Sequence, residues 1–265
     1  LNTKMDNGNN FEDNDDDYDH FGSSMLGKDD DLLSIPTAVL AEQLTIYQYE
    51  LLTSIRNFEF CGVKWRKNKD QCPHIIHVLN QFERCAEWVA MKILEPETPE
   101  ERVAIVKKCI GLCRHLNEHR NFQMTFAVVG GIMSASVYRL KHTMQLLSAS
   151  ELEELEELRA LVSLRNEFGN LRATLNSCDT IPAIPYIGFI LGELKAISDY
   201  KMSLVERKTR EMEALGVALI DLNSLYEEYK IVRKVEQWMY RYTYYEMEGL
   251  TKLESVQETL RFVFE

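Results

Sequence analysis

Cysteine and histidine side chains, the usual protein ligands of zinc, occur in two groups along the sequence. The longer group is Cys109, Cys113, His115 and His119. If this stretch forms one helix, Cys113 and His115 point about 200° apart at roughly 100° per residue, so the four side chains cannot surround one tetrahedral ion. The shorter group is Cys72, His74 and His77, which has no partners at the spacing of zinc sites. The sequence therefore predicts no metal site, and it indicates no cofactor.

Spacings typical of phosphate binding or of nucleophilic catalysis are also missing. The pair Gly130-Gly131 lacks the pattern of glycine-rich phosphate loops and follows a helix-like segment, which favours close helix packing or a local kink. No Gly-x-Ser-x-Gly motif is present. In residues 151–157 a leucine recurs every three positions among glutamates, which is typical of a solvated helix with an apolar stripe. Residue chemistry alone thus indicates a helical interaction module.

The negative charge of the chain is concentrated at its N-terminal end. The 265 residues include 42 acidic and 30 basic side chains, a formal net charge of −12. Residues 1–33 hold ten of the acidic residues but only two lysines, and so carry −8. Such a segment cannot bury enough apolar surface to offset the entropy of ordering it, so we predict a disordered acidic arm over residues 1–33. Docking of this arm on a basic surface is the alternative. The acidic balance argues against binding to nucleic acid.

We predict a cytoplasmic protein without stable membrane insertion. No apolar stretch is long enough to span a bilayer, and the N-terminus lacks the basic and apolar regions of a secretory leader. The six cysteines form no paired framework, as expected in a reducing compartment. Because the sequence begins at Leu1 rather than Met, it indicates a segment of a longer protein. Recruitment to a membrane would then depend on a partner or on regions outside this sequence.

The elements that must position any functional residue are helices. Apolar side chains recur at helical spacing in residues 40–55 and again in residues 75–93. Thr98 and Ser148 each precede a glutamate by three positions, the pattern of a capping box at a helix start. No convincing alternation of apolar and polar residues predicts a strand. We therefore predict a compact all-α domain over residues 34–265.

The C-terminal part of the sequence predicts longer helices. Residues 181–185, with two prolines, interrupt the chain and precede a helix that starts near Tyr186. After Lys201 the sequence is almost free of glycine and proline until Gly249, which predicts one or two long helices.

Six segments, in order along the chain, resemble motifs of the catalytic domain of Ras-type guanine nucleotide exchange factors, the RasGEF family. They are residues 41–51, 61–65, 88–90, 120–123, 134–143 and 184–194. The first reads Ala-Glu-Gln-Leu-Thr, like the opening helix of the family, and the last begins Ile-Pro-Tyr-Ile-Gly and is the most specific. The region after residue 194 resembles the family only loosely.

This resemblance implies an all-helical domain that promotes GDP release from a small GTPase of the Ras superfamily, such as a Ras-, Rap- or Ral-like protein. In that family a helical hairpin displaces switch I while an adjoining bowl holds switch II, without covalent chemistry. The hairpin would cover roughly residues 186–240, with a first helix over about 186–198 and a partner helix within 215–238. The helical domain that often precedes this catalytic domain cannot be formed by residues 1–33.

The resemblance also implies candidate site residues. On the hairpin they are Leu194, Lys195 and Asp199, and the expected GTPase-binding residues are Leu79, Asn121, Leu171 and Tyr186. Asp199 aligns with an acid that many members place near the GTPase phosphate loop, and Lys195 stands where some members carry an apolar residue near the magnesium site.

More ordinary roles stay open for most of these residues. Asn121 could cap or pack a helix, Tyr186 could pack the hairpin base, and Leu194 could lie inside the hairpin. Lys195 and Asp199 could simply be solvated.

A non-catalytic GTPase-binding scaffold with the same fold is the alternative function. It is motivated by Lys195, by Leu171 in place of a common tyrosine, and by a connection over residues 201–219 that is longer than usual. A generic helical adaptor without a GTPase partner is a further rival.

Overall fold

The computed structural model describes residues 29–177, 182–212, 222–245 and 249–264. These residues form twelve α-helices and three 3-10 helices, with one isolated β-bridge between Asn121 and Ile184. The α-helices are α1 (Thr37–Thr53), α2 (Lys64–Lys67), α3 (Pro73–Leu94), α4 (Pro99–Glu118), α5 (Phe122–Ile132), α6 (Ala135–Tyr138), α7 (Lys141–Gln145), α8 (Ala149–Leu161), α9 (Gly169–Ser177), α10 (Ile187–Met212), α11 (Leu222–Tyr245) and α12 (Glu254–Phe264). The predicted all-α class is confirmed.

The helix starts read from the sequence are confirmed where capping motifs marked them. Thr98 and Ser148 cap α4 and α8, and each hydroxyl oxygen accepts a hydrogen bond at 3.3 Å from the backbone N–H three residues later. The predicted folded region begins at residue 34, but a 3-10 helix already spans Asp29–Ser34, and Leu32 is only 1% exposed in the core. Residues 1–28 of the expected acidic arm lie outside the described residues.

Helices α1, α3, α4, α5 and α12 enclose the first of two apolar clusters. Helices α3 and α5 approach closely at Gly131, where an added Cβ would lie 2.6 Å from both the Ala86 carbonyl oxygen and Val89 Cβ. Only a residue without a side chain fits such a contact, so close helix packing is the structural reason for this glycine.

The second apolar cluster fastens α10 and α11 to the core. It joins α9, the start of α5 and a 3-10 helix (Asn57–Val63) to α10 and α11, which also contact each other. We call α10 and α11 the hairpin. Its first helix was expected to end near residue 198, but α10 runs to Met212 and is about 39 Å long at 1.5 Å per residue.

The helix continues because residues 201–212, expected as connection, contain no glycine or proline to end it. The rest of the expected connection, residues 213–221, lies outside the described residues. The partner helix, expected within residues 215–238, is described as Leu222–Tyr245. No helix among the described residues has an apolar stretch long enough to cross a membrane.

Candidate functional site

The base of the hairpin is joined to the start of α5 by backbone and side-chain hydrogen bonds. The Phe122 N–H donates to the Ile184 carbonyl at 2.9 Å, and the Ile184 N–H donates to the Arg120 carbonyl at 3.0 Å. The Ile187 N–H, in the first turn of α10, donates to Gln123 Oε1 at 2.8 Å. Since the first N–H groups of a helix have no partner within it, buried Gln123 satisfies a group that would otherwise be unpaired.

Asn121 is a buried helix cap rather than a surface residue. Its Oδ1 accepts from the Met124 N–H at 3.1 Å at the start of α5, and its Nδ2 donates to Thr45 Oγ1 on α1 at 3.1 Å. The side chain is 0% exposed. Asn121 therefore has the capping role that the sequence left open. Its side chain is not accessible to a partner protein in this structure.

Three aromatic side chains surround Tyr186, which immediately precedes the N-terminal end of α10. The Tyr186 ring stacks on Phe126 with centroids 4.3 Å apart, and it also contacts Phe82 at 5.3 Å and Phe168 at 5.9 Å. Burial raises the pKa of Tyr186, and the charge of Glu83 raises it further. Tyr186 nevertheless stays partly exposed, so it packs the hairpin base and also borders the surface.

The three predicted apolar positions differ in accessibility. Leu171 on α9 and Leu194 on α10 are buried in the apolar cluster of the hairpin base. Leu79 on α3 borders the same cluster and is only partly buried. Of these three residues, Leu79 is the one that a partner could touch without rearrangement.

Lys195 and Asp199 lie together on an accessible face of α10. They are one helical turn apart, and Lys195 Nζ forms an ion pair with Asp199 Oδ2. The two side chains are 41% and 59% exposed. An exposed pair of this kind contributes only about 0.3–0.5 kcal/mol to stability, so its charges can be redirected to a partner at little cost.

Polar links that the sequence did not indicate hold both hairpin helices to the core. Arg172 on α9 contacts α10 twice, because Nη1 lies 2.6 Å from Glu193 Oε1 and the guanidinium lies 5.0 Å from the centroid of the Phe189 ring. On α11, Lys234 Nζ donates to Asn176 Oδ1 at 3.0 Å.

A third link runs from the 3-10 helix, where Asn57 Nδ2 donates to Glu236 Oε1 at 2.6 Å. The partners in these links are between 21 and 179 positions apart, so no spacing rule brings them together. The one signal in the sequence for Arg172 was its position next to Leu171, a predicted site residue.

An apolar pocket of about 410 Å³ separates the hairpin from the end of α1. Core residues Leu52, Ile55 and Phe60 line one side, and hairpin residues Ile190 and Val232 line the other. The hairpin base is therefore closely packed on the α5 and α9 side and open on the α1 side.

The cysteines and His115 of α4 lie in different surroundings. Cys85, Cys109 and Cys113 are buried, and burial raises the pKa of Cys109 to about 12. His115 instead turns toward Glu118, with Nδ1 2.9 Å from Oε2. Within the described ranges no group of His, Cys, Asp or Glu side chains is arranged to hold a metal ion.

Comparison with known proteins places these features in context. Residues 39–215 match the family model of the RasGEF domain. The chain is 29% identical over 211 residues to Ras guanine nucleotide exchange factor K of Dictyostelium discoideum, covering 78% of this chain and 13% of that protein. It is 31% identical over 182 residues to Ras guanine nucleotide exchange factor E of the same organism, covering 67% of this chain and 17% of that protein.

Cyclic GMP-binding protein D of D. discoideum is 29% identical over 171 residues, covering 64% of this chain and 13% of that protein. The matched region thus amounts to less than a fifth of the length of each of these relatives.

Proposed function

Since this chain belongs to the RasGEF domain family, we propose that it promotes GDP release from a Ras-type small GTPase by inserting its hairpin beside the nucleotide. The relatives named as Ras guanine nucleotide exchange factors support this activity. The single observation that carries the mechanism is the exposed Lys195–Asp199 pair on a helix whose foot is fixed to the core.

The proposed activity depends on linkage rather than on covalent chemistry. A protein that binds the nucleotide-free GTPase more tightly weakens nucleotide binding by the same factor that nucleotide weakens its own binding. Each tenfold loss of nucleotide affinity requires about 1.4 kcal/mol of differential contact. The hairpin that makes these contacts must be rigid. If it were flexible, part of the contact energy would bend the hairpin instead of displacing switch I.

Asp199 and Lys195 supply opposite charges for the nucleotide site. GTPases of this class bind phosphate through backbone N–H groups, a lysine and Mg²⁺, so the empty site is electropositive. A carboxylate from Asp199 would be favoured there and would repel the returning phosphates. Lys195 balances Asp199 in the free protein and would face the acidic groups of the GTPase after insertion.

The remaining predicted residues divide by accessibility into positioning and contact roles. Leu194, Leu171 and Asn121 are buried, so we assign them to holding α10 and α5 in place. Leu79 and Tyr186 are partly exposed beside the hairpin base, so we assign them to contact with the GTPase.

The experiment that tests the activity is release of a fluorescent GDP analogue from a panel of Ras-, Rap- and Ral-like GTPases with excess unlabelled GDP. We expect micromolar protein to accelerate release from a subset of the panel at least tenfold over the intrinsic rate. Unchanged release from every GTPase would contradict the proposal.

A scaffold function is the second candidate, and the neutral Lys195–Asp199 pair is the observation that favours it. If the pair stays closed, Lys195 and Asp199 together present no net charge to the nucleotide site. The chain would then form a stable complex with a GTPase without accelerating release, which pull-down of nucleotide-free and GDP-bound forms would detect.

A further inference from the structure

Positive charge is concentrated in the short segment between α1 and α3. Four cationic side chains fall within six positions, and we call them the basic turn: Lys64, Arg66, Lys67 and Lys69. The last three are exposed and the first is partly exposed. Asp70 is the one acidic residue between Glu59 and Glu83, so this surface is cationic in a chain of net charge −12.

The charges of the basic turn are not compensated by the fold. Among the described residues, none of the four side chains has a carboxylate within ion-pair distance. Some cations elsewhere on the surface do have a carboxylate partner. Arg114 Nη2 lies 2.7 Å from Glu154 Oε2, for example. Lys252 Nζ lies 2.6 Å from Glu50 Oε1.

The backbone holds the basic turn in a defined and strained shape. Gly62 and Val63 have φ angles of +73° and +55°, and a β-branched residue rarely adopts the left-handed region. The side chains of Val63 and Trp65 are buried at one end of the turn, and Cys72 is buried at the other. Strained backbone persists where the surrounding structure enforces it, and it is often associated with function.

We propose that the basic turn binds the acidic N-terminal segment of the same chain. Residues 1–28 contain seven carboxylates and two lysines, and the carboxylates are Asp6, Glu12, Asp13, Asp15, Asp16, Asp17 and Asp19. This segment is the acidic complement of the basic turn, because six of its carboxylates fall within residues 12–19. Charge-assisted pairs of carboxylate with lysine or arginine are the interactions that would hold it.

Chain length and overall charge favour this partner. A segment of 28 residues reaches up to about 90 Å when extended, whereas a domain of this size has a radius of gyration of about 17 Å. Covalent attachment gives the segment an effective concentration on the order of millimolar at the basic turn. An anionic membrane lacks that advantage and is repelled by the net charge of −12.

Zero-length carbodiimide cross-linking of the full chain tests the proposal without a GTPase. The reagent joins a carboxylate directly to a lysine in contact with it, and mass spectrometry identifies the joined peptides. We expect residues 12–19 to be joined to Lys64, Lys67 and Lys69 at least fivefold more often than to Lys108 or Lys141. The yield should not depend on protein concentration, and it should fall in 0.5 M NaCl because salt screens exposed charges.

A matched pair of variants separates the basic turn from general surface charge. Arg66→Gln/Lys67→Gln removes one arginine and one lysine from the turn, and it should lower cross-linking to Lys64 and Lys69 at least threefold. Arg139→Gln/Lys141→Gln removes the same charges from another exposed segment and should change nothing at the turn. Equal cross-linking to all exposed lysines would overturn the proposal.

Two further outcomes would replace the partner. A yield that rises with protein concentration would identify a second copy of the chain as the occupant. Sedimentation with vesicles containing 30% phosphatidylserine, lost in the turn variant but kept in the control variant, would identify an anionic lipid surface instead.

Discussion

The helical core and the hairpin are held by different kinds of contact. In the core, α1, α3, α4 and α5 meet through buried apolar side chains, and at Gly131 two backbones approach closely. The hairpin is held at its base by a second apolar cluster together with partly exposed polar links, and it borders an open apolar pocket. Exposed apolar side chains also occur on α11, where Leu222 is 72% exposed.

This difference predicts that substitutions in the two regions have different effects. A close-packed core resists deformation and serves as a fixed platform. Partly exposed polar links at the hairpin base contribute little to stability, so they can be removed while the apolar contacts stay intact. Substitutions in the core are therefore expected to reduce stability, whereas substitutions in the links are expected to reduce activity.

The largest loss of stability is expected from Gly131→Ala. The new Cβ would lie 2.6 Å from the Ala86 carbonyl oxygen and from Val89 Cβ, so α3 and α5 must separate. We expect a loss of about 1–3 kcal/mol in the free energy of unfolding, measured by urea denaturation.

Gly130→Ala is the matched control for this substitution. Its Cβ would meet only Ala86 Cβ, at 3.9 Å, and alanine favours a helix by up to about 1 kcal/mol over glycine. Equal stability of the two variants would contradict the close packing of α3 and α5 at Gly131.

A smaller and pH-dependent loss is expected from Glu59→Gln at the junction of the two regions. Burial raises the pKa of Glu59, but hydrogen bonds from His74 and from the Ile75 and Arg56 N–H groups outweigh it, so the pKa is lowered from 4.5. His74 Nδ1 lies 2.6 Å from Glu59 Oε1. We expect a loss of about 1–2 kcal/mol at neutral pH, because the substitution removes the charge of a buried acceptor of four hydrogen bonds.

The pH dependence of this variant follows from the direction of the shift. A carboxylate with a lowered pKa in the folded state stabilises the protein above its ordinary pKa, and that contribution is lost as the pH falls through the folded pKa. The stability difference between wild type and Glu59→Gln should therefore shrink below about pH 4.5. Denaturation midpoints between pH 3 and 7 measure it, and a difference that is constant over this range would contradict the assignment.

The smallest change in stability is expected in the polar link between α9 and α10. Arg172→Gln and Glu193→Gln should each cost less than about 1 kcal/mol, since both side chains are partly exposed. Because the link positions α10, each variant should still lower the rate of stimulated GDP release severalfold. A double-mutant cycle of Arg172→Gln and Glu193→Gln, measured once on unfolding free energy and once on the rate of GDP release, tests this prediction. A coupling energy for release no larger than the coupling energy for stability would contradict the positioning role.

The sequence predicted the core better than the hairpin, for physical reasons. Helices α1, α3, α4 and α8 follow from local spacing and capping residues, which depend on neighbours within four positions. The length of α10 was underestimated because its expected end was taken from the hairpin of the family. The charged residues 201–212 were therefore assigned to the connection, although they contain no glycine or proline and continue the helix.

The candidate site was predicted unevenly for a related reason. The spacing of Lys195 and Asp199 already permits an i,i+4 pair, so their meeting was readable from the sequence. Burial of Asn121 and Leu171, and the meeting of Arg172 with Glu193, depend on how distant helices cross, which local spacing does not encode.

The most direct test of the central claim is GDP release stimulated by Asp199→Asn, measured on the GTPase that the wild-type chain activates. Glu258→Gln, an exposed acid on α12, is the control for charge. If the hairpin drives release, Asp199→Asn should lower the stimulated rate at least tenfold with an unchanged denaturation midpoint, and Glu258→Gln should match the wild type. A wild-type rate in Asp199→Asn would contradict a hairpin that acts at the nucleotide site.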